Sequence, residues 1–210
     1  KQNALQAYSE FLPFSRISAD DNSLIYRSVN IGNLVNLVLM DTRLIGRDKQ
    51  LSITDYFTAT GFDAVAFQTA LSDPNRSILG AEQRDWVISE INGSTAKWQV
   101  LGQQVLMGKM YVPIELLTAF ESDNFATILT ELVTIKLRVL NNDPTLTDEE
   151  IARVTSVIPY NLDAWDGYPI DRETIYNALN GKKIVTLAGD THNAWQNTLT
   201  AENGTEVGIE

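Results

Sequence analysis

The chain has 210 residues, 44% of them hydrophobic and 9% aromatic, enough apolar side chains to pack a core and to exclude disorder for most of its length. Sixteen basic against 27 acidic side chains leave a net charge of −11, which disfavours a nucleic-acid backbone or an anionic membrane as partner. With no cysteine, disulfides, thiolate zinc sites and cysteine nucleophiles are excluded, and no apolar run approaches the about 20 residues of a transmembrane helix.

Residues 1–30 are polar and broken by Pro13 and by Asp20-Asp21-Asn22-Ser23, so they read as an irregular surface lead-in. Ile31 to Met40 is a near-continuous apolar run, the pattern of a strand buried on both faces, and it ends in Asp41-Thr42-Arg43. After a turn at Ser72-Asp73-Pro74-Asn75, the helical spacing of Leu79, Gln83, Trp86, Val87 and Ile91 predicts a helix over 80–92, stopped at Asn92-Gly93. Lys97 to Met107 reads as a second strand, interrupted at Gly102. Helical spacing favours a helix across 112–140, although Thr134 to Val139 alternates like a strand.

Thr147 to Glu150 matches a capping box and predicts a helix from 148 to about 156. Trp165-Asp166-Gly167-Tyr168-Pro169 reads as a turn into a helix over 170–180 that Gly181 closes. Lys182 to Leu187 is a short β-branched strand, and Asn203-Gly204 marks a hairpin between 196–200 and 205–210. Strands and helices alternate with no repeat, linker or composition break, so one layered α/β unit is expected.

The single histidine, His192, follows the last of these strands in Leu187-Ala188-Gly189-Asp190-Thr191-His192. Ligand and catalytic groups gather at the carboxyl ends of such strands. In an extended segment, residues two apart share a side, so the Asp190 carboxylate and the His192 imidazole could converge on one cation. The bland alternative is a hydrogen-bonded structural histidine. Likewise, Asp41 beside Arg43 reads most simply as a structural pair, Trp86, Trp98 and Trp165 as core, and Asp166 as a turn cap. No Gly-x-Ser-x-Gly elbow, Gly-x-x-x-x-Gly-Lys loop or Gly-x-Gly-x-x-Gly occurs, so nucleophile-elbow hydrolases and nucleotide-cradling folds are not indicated. One histidine without cysteine suits iron, manganese, magnesium or calcium better than zinc.

Five strings occur in a fixed order: Asp41-Thr42-Arg43, Ile78 to Trp86, Lys97 to Val105, Trp165 to Arg172, and Leu187 to His192. In that order the chain resembles the carboxyl-terminal part of the PhoD-like alkaline phosphatases, of the calcineurin-like metallophosphoesterase superfamily, over residues 26–210, with 1–25 as lead-in. The resemblance implies an α/β fold that is part of a two-sheet sandwich flanked by helices. It further implies metal-dependent hydrolysis of phosphate monoesters or diesters, with iron and calcium as the metals, or manganese or magnesium in their place. Asp190 and His192 would be metal-site residues, His192 also able to contact the phosphoryl group, and Arg43 would neutralise phosphate charge.

An extracytoplasmic bacterial enzyme is implied as well. The family's Gly-Asp-Tyr strand end and Asp-Asp-His-Glu loop have no counterpart here, since Thr54-Asp55-Tyr56 lacks the glycine and the preceding strand. The opening Lys1 and the strand-like ending Val207 to Glu210 also suggest a piece of a longer enzyme. An inactive fragment with an incomplete metal centre is therefore expected. The competing expectation is a non-catalytic folding or interaction module that pairs with an amino-terminal half or a second copy.

Overall fold

The computed structural model describes residues 2–13, 17–18, 20–120 and 122–210. Parts of the predicted lead-in (residues 14–16 and 19) and residue 121 of the predicted helix 112–140 lie outside the described residues. The contacts divide the chain into two compact units, Lys1–Gly108 with Leu162–Glu210, and Lys109–Asn161. No composition break marks this division, because both units carry the same mixture of apolar and charged residues.

The first unit opens with helix α1 (Gln2–Phe11) and the hairpin β1 (Arg27–Ile31) and β2 (Val35–Leu39). A short hairpin β3 (Phe57–Thr58) and β4 (Gly61–Phe62), helix α2 (Ala64–Leu71), helix α3 (Gly80–Gly93) and strand β5 (Trp98–Gly102) follow. The second unit holds β6 (Tyr111–Pro113), α4 (Ile114–Ala119), α5 (Phe125–Leu140), α6 (Asp148–Thr155) and β7 (Val157–Pro159). The first unit resumes with α7 (Pro169–Leu179), β8 (Ile184–Leu187), β9 (Thr198–Thr200) and β10 (Glu206–Ile209). No helix among the described residues is long and apolar enough to cross a membrane.

Six strands form one mixed sheet in the order β1-β2-β5-β8-β10-β9. β2, β5, β8 and β10 run parallel, and antiparallel β1 and β9 close the edges. On one face Val38, Leu101, Ile184, Leu199 and Val207 are buried against α3 and α7, around Val87, Ile91, Ile175, Tyr176 and Leu179. The other face carries a matched apolar row, Val29, Leu37, Val100, Val185 and Ile209, across five strands. Val29 and Ile209 are about half exposed. Parallel strands are stable when both faces are apolar and covered, and such a row is the surface that a facing sheet packs on in a two-sheet sandwich. The fold is thus mixed α/β, with helices on one face of its main sheet.

The predicted lead-in differs from the structure at both ends. Residues 2–11 are helical, with Leu5, Tyr8 and Phe11 at helical spacing, although none of them is buried. Residues 27–31 become strand by pairing with β2, and Gly32, at φ +56°, turns the chain inside the predicted single run. The predicted strand 97–107 stops at Gly102, where the ladder passes to Met40 and Leu187. The predicted helix 112–140 separates into β6, α4 and α5, and the alternating Thr134–Val139 lies within α5, its Thr134 hydroxyl donating to the Thr130 carbonyl at 2.7 Å.

The helix over 80–92, the capped helix from 148 and the Asn203-Gly204 hairpin form where their signals put them. In the second unit, the Thr147 hydroxyl accepts from the Glu150 amide and the Glu150 carboxylate accepts from the Thr147 amide. Leu132, Ile135 and Val154 form that unit's own small core.

Candidate active site

The carboxyl ends of parallel β2, β5 and β8 lie at one end of the sheet, where Asp41, Arg43 and Asp190 stand. Asp41, directly beyond β2, is fully buried. Its carboxylate accepts the amides of Arg43 at 2.9 Å, Leu44 at 2.8 Å and Ile45 at 3.0 Å, folding the chain into a tight loop. Gln83 of α3 holds the same residue by its backbone, accepting from the Asp41 amide at 2.7 Å and donating to the Asp41 carbonyl at 2.9 Å. Gln104 does so one step to each side, accepting from the Thr42 amide and hydroxyl and donating to the Met40 carbonyl. Each buried polar group here has its partner, as burial requires. Gly46, at φ +76°, continues the loop against Gly80, and a Cβ at Gly46 would meet the Leu79 carbonyl oxygen at 2.1 Å.

This scaffold presents Arg43. Asp41 shapes the loop but makes no ion pair with Arg43. The Arg43 guanidinium instead donates one arm to Asp163 at 2.6 Å and the other to Asp190 at 2.8 Å. Burial draws the Arg43 pKa down, and the bonds to Asp163 and Asp190 outweigh it, holding the guanidinium above its ordinary value. Asp163 is fixed in turn by Arg47, which bonds its carboxylate at 2.6 Å, its carbonyl at 2.7 Å and the Thr42 carbonyl at 3.0 Å. The guanidinium carbons of Arg47 and Arg76 lie 5.3 Å and 5.0 Å from the Tyr168 ring centroid.

Asp190 and His192 stand on the loop after β8, and both are exposed. The loop is not extended. Asp190 has φ +74° and His192 φ +58°, so the two-residue alternation that would put their side chains on one side does not govern this segment. A carboxylate oxygen and an imidazole nitrogen are donor types that iron accepts, but nothing shows these two converging on one point. They amount to two donors, and among the described residues no group of three or more histidine and acidic side chains is placed to hold a metal ion. The structure therefore brings Arg43 and Asp190 together and gives His192 a place on the same loop.

The other strings prove to be wiring. Trp165 is fully buried and donates its indole N–H to Gln103 at 2.6 Å. Asp166, expected as a turn cap, is buried and paired with Arg172 at 2.6 Å. Asp171 accepts from the Ser77 hydroxyl and the Ile78 amide, tying α7 to the start of α3. Trp98, read as core, is 38% exposed, with the Lys183 ammonium 5.6 Å from its ring centroid. Sequence reasoning missed Asp163 and Arg47, which organise Arg43. Asp163 lies two residues before Trp165 and Arg47 four after Arg43, but neither stands in a string with a recognisable spacing.

A model of the PhoD-like phosphatase family matches residues 1–210 of this chain. Alkaline phosphatase D of Bacillus subtilis (strain 168) is 30% identical over 202 residues, which cover 93% of this chain and 26% of that protein. A solved structure titled "Structure of PhoD" aligns with a TM-score of 0.62 at 26% identity, covering 98% of this chain and 32% of the other. The chain spans between a quarter and a third of the length of these two relatives. The family match runs through every residue, and the chain belongs to the PhoD-like phosphatase family.

Proposed function

We propose that this chain contributes the carboxyl-terminal share of a metal-dependent hydrolase acting on phosphate monoesters or diesters outside the bacterial cytoplasm. The observation that carries the reading is the Arg43 guanidinium, held by Asp163 and Asp190 at the edge where β2, β5 and β8 end. A planar guanidinium there suits two phosphoryl oxygens at once, and it supplies local positive charge within a chain of net charge −11. Asp190 and His192 would hold a metal, iron or calcium first and manganese or magnesium otherwise; when bound, such an ion polarises phosphoryl oxygens and lowers the pKa of a bound water.

The chain's own residues then have separate tasks. Arg43 binds and orients the phosphoryl group, Asp163 and Arg47 fix Arg43, and Asp41 keeps the loop in shape. No serine or cysteine nucleophile is called for. Two donors make only part of a metal centre, so the polypeptide by itself is proposed to hydrolyse little or no substrate.

The test is hydrolysis of p-nitrophenyl phosphate and of its bis ester by the purified chain, with added iron, calcium or manganese and with elemental analysis of the sample. The expected result is turnover near background. Robust turnover that disappears in Asp190→Ala would overturn the inactive-fragment reading and strengthen the enzyme reading. The second reading, a non-catalytic module that pairs with further chain or with a second copy, is favoured by one feature, the half-exposed apolar row from Val29 to Ile209. Intact-mass and native-mass measurements separate the two: a co-purifying peptide restores the enzyme reading, and a metal-free monomer or homodimer supports the module.

A further inference from the structure

At the opposite end of the sheet from Arg43, the strands carry a row of side-chain amides. Asn30, Asn36 and Gln99 are paired neighbours across β1, β2 and β5, near the amino ends of β2 and β5. Asn30 and Asn36, with Asn33, Glu90, Ser94 and Thr95, line a cleft of about 500 Å3 where α3 ends beside the β1–β2 turn. That volume falls within the range of small-ligand pockets.

Asn36 and Gln99 are each 1% exposed. Gln99 Nε2 donates to the Ala96 carbonyl at 2.9 Å, so the Gln99 atom that meets Asn36 is Oε1, which accepts from Asn36 Nδ2 at 2.9 Å. This chain of amides fixes the orientation of Asn36 and leaves its Oδ1 with no donor. A buried acceptor in that state is destabilising, so a group that supplies an N–H there is favoured.

Glu90 stands beside it. Asn36 Nδ2 lies 3.5 Å from the Glu90 carbonyl, and the Glu90 carboxylate accepts the Ser28 hydroxyl at 2.6 Å through Oε2. Ser28 and Asn30 are two apart on β1 and share a face, so the carboxylate and the Asn36 amide flank the same stretch of strand. The last carbonyls of α3, the negative end of its dipole, lie at the same place. They already attract one ammonium, since Lys182 Nζ donates to the Asn92 carbonyl at 3.3 Å. No lysine or arginine is among the described residues that line the cleft.

We propose that this cleft binds the primary ammonium group of a small amine, R–NH3+, with Glu90 and the end of α3 meeting its charge and Asn36 Oδ1 accepting one of its N–H groups. An anion would face the Glu90 carboxylate and the helix end. A potassium or quaternary ammonium ion carries the charge and has no N–H to give. Divalent ions draw on several carboxylates, and this cleft has one. The inference is independent of the hydrolase reading, because it uses none of the residues assigned there.

The test is titration of the full chain with n-butylammonium chloride at constant ionic strength, followed in nitrogen-15 NMR spectra through the Asn36 side-chain amide and the backbone amides of residues 33, 36 and 90–95. Saturable shifts confined to these groups are expected. Potassium and tetramethylammonium should bind at least about fivefold more weakly, the worth of one hydrogen bond. Glu90→Gln, whose amide oxygen can keep the Ser28 bond, should weaken butylammonium about fivefold, and Asn36→Leu by at least as much. Asp85→Asn removes a charge from the same helix at a side chain that is 70% exposed and outside the cleft, and should leave the affinity unchanged. If Asn36→Leu fails to fold by circular dichroism, Glu90→Gln and the potassium comparison decide.

Equal affinity for potassium or tetramethylammonium overturns recognition of the N–H groups, and affinity undiminished in Glu90→Gln overturns the site as placed. Absence of saturable shifts at the Asn36 side chain overturns the proposal outright and assigns its Oδ1 to water.

Discussion

Two arginine–carboxylate pairs in the family strings have nearly equal bond lengths and opposite surroundings. Arg172 and Asp166 meet at 2.6 Å with side chains 0% and 1% exposed, between the turn before α7 and its first turn. Arg43 and Asp190 meet at 2.8 Å with side chains 31% and 43% exposed, at the open end of the sheet. A buried pair cannot change partners, because either charge left alone in the interior carries a large desolvation cost. An exposed pair can, because water and incoming ions compensate each charge as it separates. The same residue types thus form a fixed rivet in one place and a solvated pair in the other.

The sharpest way to break this contrast is Asp166→Ala. Removing one partner of a buried pair should cost about 3–5 kcal/mol, read as a fall in the urea midpoint followed by tryptophan fluorescence. A loss under about 1 kcal/mol would mean that Arg172 reaches solvent or another acceptor and that the pair is no rivet.

Asp41→Ala comes next. It strands the amides of Arg43, Leu44 and Ile45, each of which now donates to a carboxylate. The expected loss is about 2–3 kcal/mol, with faster hydrogen exchange confined to residues 42–46. Unchanged exchange there would show that Gln83 and Gln104 hold the loop without the carboxylate.

Tyr176→Phe examines the interior from another side. The Tyr176 hydroxyl donates to the Met107 carbonyl at 2.9 Å, and losing that bond should cost about 1 kcal/mol. Burial pushes the Tyr176 pKa well above its ordinary value. Below about pH 10 the group is neutral in both folded and unfolded chains, and its contribution is fully present. Above that pH the unfolded chain ionises first, so stability falls until the folded value is passed. Tyr168, also raised by burial, adds to the same slope. Urea midpoints at about pH 8 and about pH 11 should therefore differ less in the variant than in the parent.

How much of this was legible in sequence depends on what each residue bonds to. The capping box at Thr147, the Asn203-Gly204 hairpin and α3 could be read because their signals lie within a few residues of one another. Helix α1 was missed for a different reason: Leu5, Tyr8 and Leu12 stand at helical spacing, but the stretch is short, polar and followed by Pro13, and none of its residues is buried. Asp41 was recognisable as belonging with Arg43, but its role was misread: the nearer residue supplies backbone for its carboxylate, while the arginine's acceptors lie 120 and 147 positions away. Asp163 was invisible for that reason, as a partner defined only by the fold. The positive φ angles at Asp190 and His192 were equally hidden, because alternation describes strands and the segment had left its strand at Leu187.

The smallest expected effect on stability falls on Asp190, the residue that the proposed function treats as a metal donor. Asp190→Ala removes an exposed carboxylate whose partner keeps its bond to Asp163, so the urea midpoint should move by no more than about 0.5 kcal/mol. The guanidinium stays charged and solvated, and no buried group is orphaned. A loss of several kcal/mol would instead place Asp190 with Asp166, as a rivet that holds the last loop to the sheet, and an arm committed to that bond could not be released to a phosphate. A near-neutral result leaves the Asp190 carboxylate able to meet another partner, since what contributes little to folding can change partners at little cost.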